Sequence, residues 1–298
     1  MSPSSIERFP YPVDTLDRLD DPSTKAALSE HLQSGEVIKR IIVAPPKEMV
    51  GIPREWRQRL DVQPAVSRTM SWVLVLTEQH LLVATISKPN VPPPVLSIPI
   101  AKLLWVEVGL ILLFGWFECA WVSEGRVLRA RIFFNTVGEQ HFQQLRVLLC
   151  RTLIEQDGLS RMPDGQNPMQ IESLPFKLKN MIDIKMLLPD EAIQKLVYHL
   201  TIWQKYLLVF KRRRAASTVV ILSKYHLLVG NEDPSQHDAS YGWITRYCPR
   251  QRVRKVSLET KTSEITMDVT VGLDSVEESF SILFPAEMAP SLAEWATA

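Results

Sequence analysis

Residues 72–83 read WVLVLTEQHLLV, and residues 218–229 read TVVILSKYHLLV. Their apolar positions coincide almost throughout at an offset of 146, with Thr77 over Ser223 and His80 over His226. The blocks that follow repeat as well. IPIAKLLWVEV (98–108) lies over CPRQRVRKVSL (248–258) at an offset of 150, and ARIFFN (130–135) lies over FSILFP (280–285) at the same offset. Near the front, GEVI (35–38) matches DEAI (190–193). Blocks in one order, with slippage confined to the connections between them, mark a tandem duplication.

Each repeat reads as short strands followed by a helix. In the first, the pattern predicts strands near 37–43, 72–77, 80–86, 96–100 and 127–134, two further hairpins turning near Phe114-Gly115 and Glu124-Gly125, and a helix over 137–155. A helix precedes it, with Asp21 as N-cap and Pro22 at N1. The stretch 44–70 is an insertion that the second repeat is expected to lack. In that repeat Ile265, Met267, Val269 and Val271 alternate with Thr266, Asp268 and Thr270, the mark of a sheet with one wet face. A closing helix over 286–296 should turn Leu292 and Trp295 inward. Between the repeats, 156–170 is polar and rich in turn formers, a linker followed by a short helix with Ser173 as cap and Pro175 at N1.

About six or seven antiparallel strands closed by a C-terminal helix suit a small orthogonal barrel. The pattern L-T/S-x-x-H-L-L-V, then I-P-I/R followed by Val, then a terminal F-x-I-x-F strand and helix resembles the bacterial pleckstrin-homology-like and GRAM-like domains. His80 and His226 stand where that family usually has a basic residue. The resemblance covers nearly the whole chain. It implies a mainly β (α+β) architecture: an N-terminal extension (1–31), one pleckstrin-homology-like domain (32–155), a linker (156–185) and a second such domain (186–298).

The chain has 298 residues, 46% hydrophobic and 22% charged, with a net charge of +1, which argues against a wholesale polyanion binder. The start, MSPSSIERFPYPVDT, lacks the pattern of a signal peptide. Cys119, Cys150 and Cys248 are scattered and odd in number, so the expectation is a reducing cytoplasm, without disulfides or metal knuckles. The apolar stretch Leu103–Val122 is long enough to span a bilayer. Glu107 and Glu118 interrupt it, and the reading is strands with both carboxylates partly exposed. No nucleotide, metalloprotease or nucleophile-elbow motif is present, and the expectation is a non-enzyme without cofactor or metal.

Charge in the second repeat is segregated. From Lys205 to Lys255 eleven basic residues face three acidic ones, and from Val256 onward eight acidic residues face Lys261 alone. Lys211, Arg212, Arg213 and Arg214 are expected in a turn before strand 217–222. Arg250, Arg252 and Arg254 alternate as if along one strand face. Such charges also suit a solvated loop or pairing with acidic neighbouring strands. In lipid-binding members of the family this turn grips anionic headgroups, so the resemblance makes Lys211–Arg214 the site to test, and the charge pattern adds Arg250, Arg252 and Arg254 to the anion-binding candidate. A nucleic-acid platform would need interleaved aromatics, which the basic cluster lacks. In the first repeat, Phe114, Trp116 and Phe117 sit at an unusually apolar hairpin tip, LLFGWF, which suggests an interaction surface. Two functions follow. One is an interaction module that binds protein partners or self-assembles. The alternative is a peripheral protein on anionic lipid at the inner face of the membrane.

Overall fold

The computed structural model describes residues 9–48, 69–86, 91–111, 113–159, 171–189, 191–206, 210–232 and 242–295, with the backbone alone at 204–206 and 210–214. Most of the 44–70 insertion, part of the Pro-rich loop before residue 95, most of the linker, and Leu112, Asp190, Asp233, His237, Asp238 and Tyr241 lie outside the described residues. The chain is mainly β, in open antiparallel sheets, and divides into two compact units. The first comprises 1–103, 110–118 and 130–160; the second comprises 104–109, 119–129 and 161–298.

The first unit opens with β1 (Tyr11–Val13) and α1 (Pro22–His31). Asp21 caps α1 by accepting the Thr24 amide at 3.2 Å, and Pro22 at N1 has no amide to leave unpaired. Then come β2 (Ile38–Ala44), β3 (Ser71–Thr77), β4 (His80–Ile86) and β5 (Val95–Pro99), which with β1 form one sheet in sequential order. One face of this sheet carries Ile41, Val43, Val73, Val75 and Leu82, packed with Leu16 and with Leu28 of α1.

A 3-10 turn (Ile100–Lys102) leads into three long strands, β6 (Leu103–Ile111), β7 (Phe114–Ser123) and β8 (Arg126–Asn135). A second 3-10 turn (Thr136–Gly138) starts α2 (Glu139–Gln156). In the first unit Phe134 stacks on Phe142 of α2 at 3.8 Å between ring centroids, and Phe117 lies 6.1 Å from Phe142.

The second unit begins with α3 (Phe176–Met181), continued by a π turn (Ile182–Met186). Strand β9 (Ile193–His199) is followed by a two-stranded ribbon, β10 (Ile202–Tyr206) and β11 (Phe210–Ala215). Next come β12 (Thr218–Ser223), β13 (His226–Glu232) and β14 (Gly242–Pro249). After a 3-10 turn (Arg250–Arg252), β15 (Val253–Lys261), β16 (Glu264–Leu273) and β17 (Val276–Pro285) make a three-stranded sheet. The closing helix is shorter than the sequence pattern suggests: a 3-10 turn over Ala286–Met288, then α4 (Ala289–Ala293). Leu292 and Trp295 are buried, as expected. The Leu104–Gly109 portion of β6 belongs to this unit and flanks β14, whose other neighbour is β13.

The duplication is visible element by element. Strand β9 reproduces β2 at an offset of 155, and β13 reproduces β4 at 146. From Pro99 and Pro249 to the starts of α2 and α4, every boundary shifts by 150. The hairpin after β7 places Glu124 at φ 51°, and the one after β16 places Asp274 at φ 55°, a left-handed conformation kept at equivalent positions. The expected difference in insertions needs correction. Where the first repeat has 44–70, the second has the β10–β11 ribbon.

Candidate functional site

The matched blocks converge on one constellation in each repeat. In the first, the Thr77 hydroxyl accepts the amides of Gln79 (3.2 Å) and His80 (2.8 Å) and bonds to the Glu36 carboxylate, which also meets His80 Nδ1 at 3.2 Å. In the second, Ser223 accepts the amides of Tyr225 (3.2 Å) and His226 (2.9 Å) and bonds to Glu191, which meets His226 Nδ1 at 2.8 Å. Burial alone would raise both carboxyls. The surrounding donors win: Thr77, the Gln33 amide and His80 hold Glu36 below its ordinary value, and His226, Ser223 and the Leu188 amide do the same for Glu191. Both lone-pair directions of Ser223 are taken by backbone amides, and the residue is buried. The arrangement braces the tight turn into β4 and β13 and presents no exposed nucleophile.

Two carboxylates lie elsewhere than expected. Glu107 and Glu118 are 7% and 3% exposed, so neither is partly exposed on a strand face. Each is buried because an arginine meets it. Arg246 donates to Glu107 Oε2 through Nη2 (2.7 Å) and Nε (3.1 Å), and Arg131 donates to Glu118 Oε2 at 2.7 and 2.8 Å. The Arg246 guanidinium also lies 4.4 Å from the Trp105 ring and 4.7 Å from the Phe280 ring. Burial would lower its pKa, but Glu107 and other negative groups raise it above the ordinary value, so the cation is permanent. Burial pushes the neighbouring Cys248 thiol up to about 12, and all three cysteines are buried and outside any disulfide.

The apolar hairpin tip is also corrected. Phe114, Trp116 and Phe117 are buried, with Phe114 against Phe133 at 5.2 Å and Phe117 beneath α2. Their own chain covers these rings: the closing helix lies over Phe117, and Phe114 packs on Phe133 of β8. No backbone period distinguishes that covering from a partner's.

The basic residues do not share one face. Lys211–Arg214 lie in strand β11 rather than in a turn, with Lys211 opposite Lys205, Arg212 opposite Gln204 and Arg213 opposite Trp203. Arg250 and Arg252 occupy the 3-10 turn and only Arg254 the strand. Arg252 is buried, whereas Arg250 is exposed and donates to Gln194 at 2.6 Å. The ribbon is fastened at its root by Glu232. This buried carboxylate accepts from Ser217 (2.7 Å) and Thr201 (3.0 Å), the residues flanking the ribbon, and pairs with Lys177 of α3.

Sequence reasoning missed the apolar residues around this root. Phe176 is 78% exposed, Leu200 55% and Trp203 42%. Each lies among other apolar residues, Phe176 between Leu174 and Leu178 and Leu200 and Trp203 on either side of Ile202, where an apolar side chain ordinarily reads as core. Among the described residues no group of His, Cys, Asp and Glu could hold a metal ion, and no helix is long and apolar enough to cross a membrane. Comparison of the chain with family models and with curated proteins returns no match.

Proposed function

We propose that this chain is a non-enzymatic peripheral membrane protein in which two tandem pleckstrin-homology-like domains carry a binding surface for anionic phospholipid. The domain reading rests on the motif resemblance and on the repeated order of a four-stranded meander, a 3-10 corner, a three-stranded meander and a helix, which such a barrel requires. The observation that carries the function is strand β11. Four consecutive basic residues lie in a two-stranded ribbon, within a stretch from Ala192 to Asn231 that contains no Asp or Glu. A charge-dense strand without acidic neighbours in its own stretch suits a surface that presents many anions at once, such as the anionic cytoplasmic leaflet. The alternative, a module for protein partners or self-assembly, leaned on Phe114, Trp116 and Phe117, which are buried. Vesicle co-sedimentation tests the proposal. Wild type should bind phosphatidylglycerol vesicles at low salt, ignore phosphatidylcholine, and lose binding as salt screens charges beyond a Debye length of ~8–10 Å. Changing Lys211, Arg212, Arg213 and Arg214 to Ser should remove most of that binding, at about 1 kcal/mol per basic residue. Wild type that ignores anionic vesicles at low salt would refute it.

A further inference from the structure

We infer that Phe176, Leu200 and Trp203 form an apolar rim that sinks into the interfacial layer of an anionic bilayer and sets the orientation in which the basic ribbon docks. This rests on the membrane reading above and adds what that reading lacks, a depth and a facing side. Phe176 precedes Lys177, whose ion pair with Glu232 fixes α3 to the ribbon root. Glu232 also holds Thr201, whose neighbours are Leu200 and the first residue of β10, and Ser217, two residues past the end of β11. One buried carboxylate therefore gathers three exposed apolar side chains around the base of the strand that carries Lys211–Arg214. Trp203 itself stands opposite Arg213 in the ribbon register.

The occupant follows from charge and shape. Phe176 lies in the segment Phe176–Met186, which carries Lys177, Lys179 and Lys185 against Asp183 alone, and the ribbon carries no acid. Aromatic and aliphatic residues flanked by cations match the headgroup boundary of a bilayer, where rings sit among glycerol groups and ammonium or guanidinium groups meet phosphates. Three exposed apolar side chains set among cations suit a fluid surface, which fills in between anchors, better than the continuous apolar core of a stable protein interface.

Two signatures separate this rim from plain electrostatic adsorption. Apolar insertion is insensitive to salt, so Phe176→Ala and Trp203→Ala should each weaken binding to phosphatidylglycerol vesicles by about tenfold. Both should leave the slope of binding against salt as in wild type, whereas the quadruple Ser variant flattens it. An environment-sensitive fluorophore on Phe176→Cys should shift to the blue and gain intensity on adding the vesicles. The same label on Glu259→Cys, an exposed position in β15, should stay in water. The native cysteines are buried, which keeps labelling selective. Vesicle binding with an unshifted label at Phe176, or full affinity in both Ala variants, overturns the rim and leaves the membrane reading intact. Failure of wild type to bind overturns both. A concentration-dependent dimer that Phe176→Ala abolishes would assign the rim to a second copy of the chain and overturn the inference as well.

Discussion

At Glu191 a carboxylate is sealed against His226, Ser223 and the Leu188 amide, so truncating it removes the buried acceptor that all three share. Glu191→Ala should cost ~3–5 kcal/mol in urea denaturation, the range for breaking one side of a buried pair. Its counterpart Glu36→Ala should cost less, ~1–3 kcal/mol, because the distance to His80 is longer and His80 is partly open to water. Both carboxyls titrate below their ordinary value when folded. Their stabilisation is therefore complete above the unfolded carboxylate pKa of ~4.3 and is lost as pH falls through the lower folded values. Glu191→Gln should remove part of that acid sensitivity. His199 acts in a higher window. Its two nitrogens lie 2.9 Å from the Leu200 and Leu283 carbonyls, which only an imidazolium could satisfy together. Burial prevails over these carbonyls and over Glu287, and holds the ring below the ordinary imidazole value. The unfolded chain then takes up the proton first. This residue's contribution is complete above ~6.5 and declines as pH falls below it, toward the folded value. His199→Gln keeps a donor without titrating, so urea midpoints measured between about pH 5 and 7 should lose part of their slope.

Among the elements, Gly115 in β7 shows how closely the hairpins meet their helix. A Cβ there would stand 2.5 Å from Phe134 Cε2, and that ring is stacked on Phe142. Gly115→Ala should cost ~1–3 kcal/mol by overpacking. Gly230 in β13 makes a useful contrast. Its added methyl would meet the ends of Met181 and Met186, with Val219 at 3.0 Å, and the thioether arms can shift, so Gly230→Ala should lower the denaturation midpoint by less. The element order was largely readable, because strands, turns and the α1 cap follow local chemistry and the duplication doubles each signal. The environment of β6 and β7 was not. The two carboxylates suggested partly exposed strands, yet every residue of β6 is buried, with β14 of the other repeat as one of its neighbours. The Glu–His braces were half visible: Glu36 and Glu191 fall in matched blocks. Their partners lie 44 and 35 residues away in sequence, a proximity only the folded chain supplies.

For the whole molecule, the units in space do not follow the two repeats. Leu104, Trp105, Ala120 and Val122 come from the first repeat and sit in the same core as Val220, Met267 and Phe284 of the second. A fragment of residues 171–298 would lack them, along with Glu107 for Arg246. It should give poorly dispersed amide resonances and a non-cooperative melt, where the full chain melts cooperatively. The duplicated blocks could reveal two copies, but nothing in a periodic pattern tells which strand completes which core. This sharing also has a cost in time. Glu107 and Val108 meet Arg246 and Thr245, which follow them by 139 and 137 residues. At about 5–20 residues per second of translation, roughly 7–30 s pass before the ribosome has made their partners. Through that interval the nascent chain carries the Trp105 edge of β6 with no strand beside it. The half-made protein is thus a natural client for a ribosome-associated holdase, and a slow codon stretch before Arg246 would lengthen its exposure.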